Sequence, residues 1–210
     1  MSRANPLGSA TRIIACAAVL LGFTRAESRA ESFFIDIPNH GVAVTHSGKM
    51  LLAAGPPGIA LFSEEKIQNS LAVLMKVRNA AGEVIGFATE LEVFPAGANM
   101  LEGDVVWDTD WTVVIPGRGS LFLYEREHSG ELGSKVISPT LKTGEPWVGD
   151  WTVTSTVGPR PDRKGRIVGG TGEFAKAAGW FTETIRLTKY TKDGAMFGTV
   201  ELKVQQKGAR

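Results

Sequence analysis

Tryptophans and aspartates alternate in Trp107-Asp108-Thr109-Asp110-Trp111-Thr112. A β-strand would sort them into two faces, with Trp107, Thr109 and Trp111 on one and Asp108, Asp110 and Thr112 on the other. Either face could line an enclosed space. Aspartates turned inward would repel each other in a poorly solvated cavity and raise at least one pKa, which makes a proton donor. Tryptophans turned inward would wall a cavity for an apolar or conjugated ligand. The plainer arrangement has the tryptophans in the core and the aspartates in solvent.

Other candidates follow the same logic. Glu183 falls between Phe181 and Ile185 on a face that is otherwise apolar, where an ionised group needs a partner such as Arg118, Arg126 or Arg186. Glu90 and Glu92 share a strand face with Ala88 and Phe94, and Tyr124, Arg126 and His128 share another. Inside a lumen the second row would orient a carbonyl or carboxylate, and outside it is an ordinary polar face. Trp147 to Val153 repeats the Trp-x-x-x-Trp-Thr-Val pattern of Trp107 to Val113 and adds Trp151 to the aromatic candidates. The histidines His40, His46 and His128 lack metal-site spacing and no cysteine ligands accompany them, so no metal is expected. No Gly-x-Ser-x-Gly elbow is present.

The elements that must position these residues are strands. Alternating or apolar runs at 33–37, 71–77, 83–94, 104–115, 120–127, 147–157, 166–169, 180–189 and 196–204 are separated by Gly, Pro, Asn and Asp. Turns are expected at Asn79-Ala80-Ala81-Gly82 and Lys192-Asp193-Gly194, a stiff connector at Gly55-Pro56-Pro57-Gly58 and a short helical turn opened by Ser63. No helical run exceeds two turns. So many strands in one chain favour closure into a single antiparallel barrel, because open edges invite association. An eight-stranded barrel is wide enough for one small ligand.

The stretch Arg166 to Phe174 reads as a strand and a glycine-forced turn, followed by a second strand from Trp180. Gly169, Gly170 and Gly172 suit positive φ or close backbone approach, Thr171 can bond its own turn, and Phe174 can pack back on the sheet. The Lys-Ser/Thr pair of a phosphate loop is missing. The run Gly169-Gly170-Thr171-Gly172-Glu173-Phe174 with Ala177 and Gly179 resembles the Gly-Gly-Thr-Gly-x-Phe-x-x-Ala-x-Gly signature of dirigent proteins and of bacterial allene-oxide-cyclase-like barrels. Gly117-Arg118-Gly119-Ser120-Leu121-Phe122-Leu123 is similar to the glycine-led strand that precedes it there. That family often has Arg before the last glycine, where this chain has Ala178.

The resemblance implies an all-β, calycin-like closed barrel of about eight strands. Its cavity would hold a hydrophobic or phenolic small molecule in one conformation and direct a cyclisation, isomerisation or coupling without a cofactor. The lining expected is Trp107, Trp111 and Trp151 as ligand-binding residues, with Glu183, Asp108, Asp110 and Tyr124 as catalytic ones. The rival from another class is a non-catalytic, lipocalin-like carrier or an envelope interaction or structural module on the same barrel. Related barrels commonly oligomerise, so a homo-oligomer is expected, with Trp147 and Trp151 offering an outer aromatic face.

Arg3 and Arg12 precede an apolar run at 13–23 and then small residues, the pattern of a secretory signal peptide over residues 1–30 cleaved after Ala26 or Ala30. The run is about half of what spans a bilayer, so no membrane span is expected after its removal. The expected destination is secreted or periplasmic, with a barrel domain over residues 31–210. Removing residues 1–30 takes away four arginines, Glu27 and the sole cysteine, Cys16, and leaves 19 basic and 21 acidic residues at a net charge of −2. Nucleic acid and anionic membranes therefore lose their electrostatic warrant, and disulfides are excluded from the exported chain.

Overall fold

In the computed structural model, residues 28–37, 42–45 and 69–207 are described. The expected signal peptide up to residue 27, the Gly55 to Gly58 connector, the Ser63 turn, His40 and His46 lie outside them. The strands are β1 (Arg29–Ile37), β2 (Val42–Thr45), β3 (Ser70–Arg78), β4 (Val84–Val93), β5 (Val106–Ile115), β6 (Gly119–His128), β7 (Trp147–Val153), β8 (Thr156–Gly158), β9 (Gly165–Gly170), β10 (Gly179–Tyr190) and β11 (Met196–Gln206). Eight of them form an antiparallel ring in the order β1, β11, β10, β9, β6, β5, β4, β3. The ring closes where Phe34 and Ile35 of β1 pair with Arg78 and Val77 of β3. β2 attaches to β3, β7 to β10 and β8 to β6. The chain is an all-β closed barrel.

Closure follows from the period-2 patterning. Phe33, Ile35, Met75, Val77, Ala88, Trp111, Val113, Ile115, Leu121, Leu123, Phe181, Leu202 and Val204 all turn inward and form one buried cluster. β1 begins at Arg29, so cleavage after Ala26 would leave the strand whole, whereas cleavage after Ala30 would remove its first two residues.

Two local expectations are corrected. Residues 133–143 form a π-helical turn (Gly133–Ile137) running into α1 (Ser138–Thr143), which is more helix than the sequence pattern suggests. Its buried side chains are only Val136, Ile137 and Thr140, too few to show a helical period, and Gly144 ends it in a left-handed conformation. The expected strand 147–157 breaks into β7 and β8 around Thr154 and Ser155. At the break the Ser155 N–H donates to the Glu183 carbonyl at 3.2 Å, and the Ser155 carbonyl accepts from the His128 N–H at 2.9 Å. This stitches β6 to β10 beside Glu183.

The glycine-rich turn carries β9 into a 3-10 turn at Gly172–Phe174 and then into β10. Phe174 is buried against the sheet. Thr171 bonds within its own turn, its carbonyl accepting from the Phe174 N–H at 2.9 Å, and across it, its hydroxyl accepting from the Ser120 N–H at 2.9 Å. Gly172 sits at φ +58°, and a Cβ there would lie 2.2 Å from the Arg118 carbonyl oxygen. Gly172→Ala should therefore cost more than the roughly 1–2 kcal/mol of a left-handed backbone alone, read as a lowered urea midpoint. A loss under about 0.5 kcal/mol would contradict this turn geometry.

Trp147 and Trp151 do not form an outer aromatic face. They pack, partly buried, on Leu132, Val136, Ile137, Leu187 and Tyr190 in a second cluster built around the helical segment. The exposed large apolar residues include Leu74, Phe87, Leu91 and Val93, on the outer faces of β3 and β4.

Candidate functional site

The inward faces of four ring strands change character halfway along the barrel. On β6, Leu121 and Leu123 give way to Glu125 and Glu127, and on β4 Ala88 gives way to Glu90 and Glu92. On β5, Val113 is followed toward the strand start by Trp111, Thr109 and Trp107, and on β10 Phe181 is followed by Glu183. Register brings the acidic positions together. Glu90 pairs with Trp111 and Glu92 with Thr109 across β4 and β5, while Thr109 pairs with Glu125 and Trp107 with Glu127 across β5 and β6. Two Glu-x-Glu strands thus flank one Trp-x-Thr-x-Trp strand, and Glu183 joins them from β10.

Glu125 and Glu183 are 0 % exposed, Glu127 1 % and Glu92 7 %. Glu90 keeps partial solvent access. Among the described residues, two indoles donate directly to the nest. Trp111 Nε1 lies 3.1 Å from Glu183 Oε2 and 3.2 Å from Glu125 Oε1, shared between them, and Trp107 Nε1 donates to Glu92 Oε1 at 2.9 Å. Trp107 is set against Phe94, ring centroids 5.0 Å apart. The Glu183 N–H donates to the Thr156 hydroxyl at 2.6 Å, which fixes the strand at that point.

These contacts leave much of the nest unpartnered. Both carboxyl oxygens of Glu127 and one each of Glu92, Glu125 and Glu183 have no hydrogen-bond partner, nor do the buried hydroxyls of Thr109 and Ser155. None of the ion pairs among the described residues involves any of the five glutamates. Arg118 binds Glu31 at 2.7 Å and Glu173 at 2.9 Å, Arg186 binds Asp150 at 2.7 Å, and Arg126 lies 4.0 Å from Asp108. The arginine partner expected for Glu183 is therefore replaced by an indole N–H. The cause is geometric: Arg126 and Arg186 alternate to the outer face of their strands, and Arg118 lies at the turn before β6.

Carboxyl groups so placed resist ionisation. Burial, with added repulsion from Glu92, Glu183 and Glu127, holds Glu90 well above the ordinary carboxylate range. Glu92 is pushed up to about 8 by burial and by Glu183, against the opposing hydrogen bond from Trp107. Burial and then the charges of neighbouring glutamates raise Glu125 and Glu127 well above the usual value. Burial raises Glu183 too, while Glu125, Ser155, Trp111 and Glu127 pull it the other way. Glu183 thus has the most neighbours favouring its ionised form, with the Trp111 N–H the direct donor, which makes it the best place in the nest for a remaining negative charge.

The other expected site residues are distributed by strand alternation. Trp107 and Trp111 face inward, and this one choice sends Asp108 and Asp110 outward into solvent. Tyr124 is also outside, its hydroxyl donating to Asp108 at 2.7 Å. Asp108, Asp110 and Tyr124 therefore take no part in the lumen. Trp151 belongs to the cluster around the helical segment and does not lie on the glutamates. Gly169, Gly170, Thr171 and Gly172 make the β9 to β10 connection and touch none of this chemistry.

Glu125 and Glu127 are missing from the sequence reading, which follows the other face of their strand, Tyr124, Arg126 and His128. The signal that finds them is the alternation Leu121, Leu123, Glu125, Glu127, an apolar face running into two acids. Among the described residues no helix is long and apolar enough to cross a membrane. No protein-family model matches the chain, and no curated protein matches it either.

Proposed function

We propose that the barrel binds a hydrophobic or phenolic small molecule, with its apolar part against Trp107 and Trp111 and its polar group on the glutamates. The observation that carries this reading is the unpartnered acidic half of the lumen. An unsatisfied buried polar atom costs about 1–3 kcal/mol, so a chain needing only a packed core has no use for five inward glutamates beside two tryptophans. A neutral carboxyl donates to a carbonyl or phenol oxygen, and Glu183 accepts in return. The same pair passes a proton in a cyclisation or isomerisation held in one conformation by the walls, as the resemblance to allene-oxide-cyclase-like and dirigent barrels implies. Export to the periplasm or beyond belongs to this reading, on the strength of the expected signal peptide.

The test is native mass spectrometry of the protein from its own host, with denaturing extraction of whatever co-purifies. An apolar or phenolic compound is expected, and Glu183→Gln should weaken its rebinding about 10-fold with the fold intact, the loss of one strong hydrogen bond. A protein that never retains such a compound, or a Glu183→Gln variant that rebinds it unchanged, contradicts the proposal.

A further inference from the structure

We propose that Glu90, Glu127 and Glu183 form a binding site for one hard divalent cation of the calcium, magnesium or manganese class. One carboxylate oxygen from each lies within 4.8 Å of the other two. An ion centred among three oxygens about 4.8 Å apart would sit about 2.8 Å from each, so drawing the carboxylates in by a few tenths of an ångström gives the roughly 2.3–2.6 Å of calcium ligands. The ligands come from β4, β6 and β10, three separate strands of a closed ring, so their spacing is set by the barrel and not by a mobile loop.

A second observation is independent of the three carboxylates. The hydroxyls of Ser155 and Thr109 are both fully buried and lack a hydrogen-bond partner. Ser155 lies against Glu183 and Thr109 against Glu127, where each hydroxyl favours the ionised acid without closing a full hydrogen bond. Buried hydroxyls are normally satisfied, and orphaned ones turned toward acids are spare oxygen donors. The carboxylates are free to coordinate as well. Trp111 occupies only Oε2 of Glu183 and leaves Oε1 open, and neither oxygen of Glu127 is engaged.

Chemistry selects the class of ion. The donors are all oxygens, with no imidazole or thiolate among the described residues of the nest, and this favours hard cations over zinc or copper. No ion pair among the described residues supplies positive charge to the nest, so an ion would meet no competing side chain. Glu90 is the member of the three with partial solvent access. The inference goes beyond small-molecule binding and does not depend on it, because an ion would fill the acidic half with or without an organic ligand.

The experiment uses the full chain stripped with a chelator. Terbium is added as a calcium probe and excited through the indoles, of which Trp111 touches Glu183. Calcium, magnesium and manganese are then titrated separately by calorimetry. Saturable sensitised emission at one ion per chain is expected, displaced by calcium, with a dissociation constant below about 1 mM for at least one of the three ions. Glu127→Gln and Glu90→Gln, each checked for intact near-ultraviolet circular dichroism, should each weaken binding at least 10-fold. Absence of saturable binding overturns the site, and so does binding that both variants leave unchanged. Because the probes are metal ions alone, a negative result here leaves the small-molecule reading standing, and a missing organic ligand leaves this one standing.

Discussion

Chelator-treated protein should lose thermal stability steadily as the pH rises from about 5 to about 9, the reverse of a protein held together by paired carboxylates. The sign follows from where the protons sit. Glu92 has an ordinary value of 4.5 and is pushed up to about 8 in the folded chain. Between those two values the folded state keeps a proton that the unfolded state has released, so unfolding is favoured by about 1.4 kcal/mol for each pH unit. The contribution is fully present below the unfolded value and is lost as the pH rises through the folded one.

Glu90, Glu125 and Glu127 act in the same direction. Asp104, Asp150, Asp162 and Asp193 are lowered below 3.8, so their stabilisation is already complete at the acid end of this range. For a chain of this size the acidic nest should lower the melting temperature by about 10 °C or more between pH 5 and pH 8. A melting temperature that is flat or rising over that interval would mean that the glutamates are compensated.

Glu127→Gln should stabilise the protein at pH 8, by about 1–3 kcal/mol, and raise the melting temperature by several degrees. Glu127 is 1 % exposed and neither of its carboxyl oxygens has a partner. The amide has nearly the same shape, carries no charge to desolvate, and brings two N–H donors toward the open oxygens of Glu92, Glu125 and Glu183. A stabilising substitution at a buried acid is the mark of a residue kept for binding at the expense of the fold. The gain should shrink toward pH 5, because the raised Glu127 carboxyl takes up its proton as the pH falls. Destabilisation at pH 8 would show that Glu127 is partnered in the folded protein and that the nest is a structural network.

The barrel is legible in the chain because period-2 alternation and glycine-rich turns report strands directly, and closure follows from the number of strands. The helical segment is not legible, since its three buried positions fall within a few residues of one another. Glu183 stands out from the sequence for a physical reason, a charge on an apolar face, and the structure places it at the centre of the nest. Asp108 and Asp110 are drawn from the same alternation as Trp107 and Trp111, and only the fold decides which of the two faces is inside. Glu125 and Glu127 pass unnoticed because acids beside Arg126 look like a solvated surface. Their meaning comes from register: Thr109 and Trp107 across the strand pair are buried, so their partners are buried too.

The most direct measurement is a pH titration of the chelator-treated protein with carbon-13 in its glutamate side-chain carboxyls, followed by NMR. Glu92 should still give a largely protonated carboxyl signal at pH 7 and titrate near 8, and Glu90, Glu125 and Glu127 should titrate well above the ordinary carboxylate range. A set of glutamates that all titrate near the ordinary 4.5, with none protonated at neutral pH, would contradict a buried, uncompensated acidic nest.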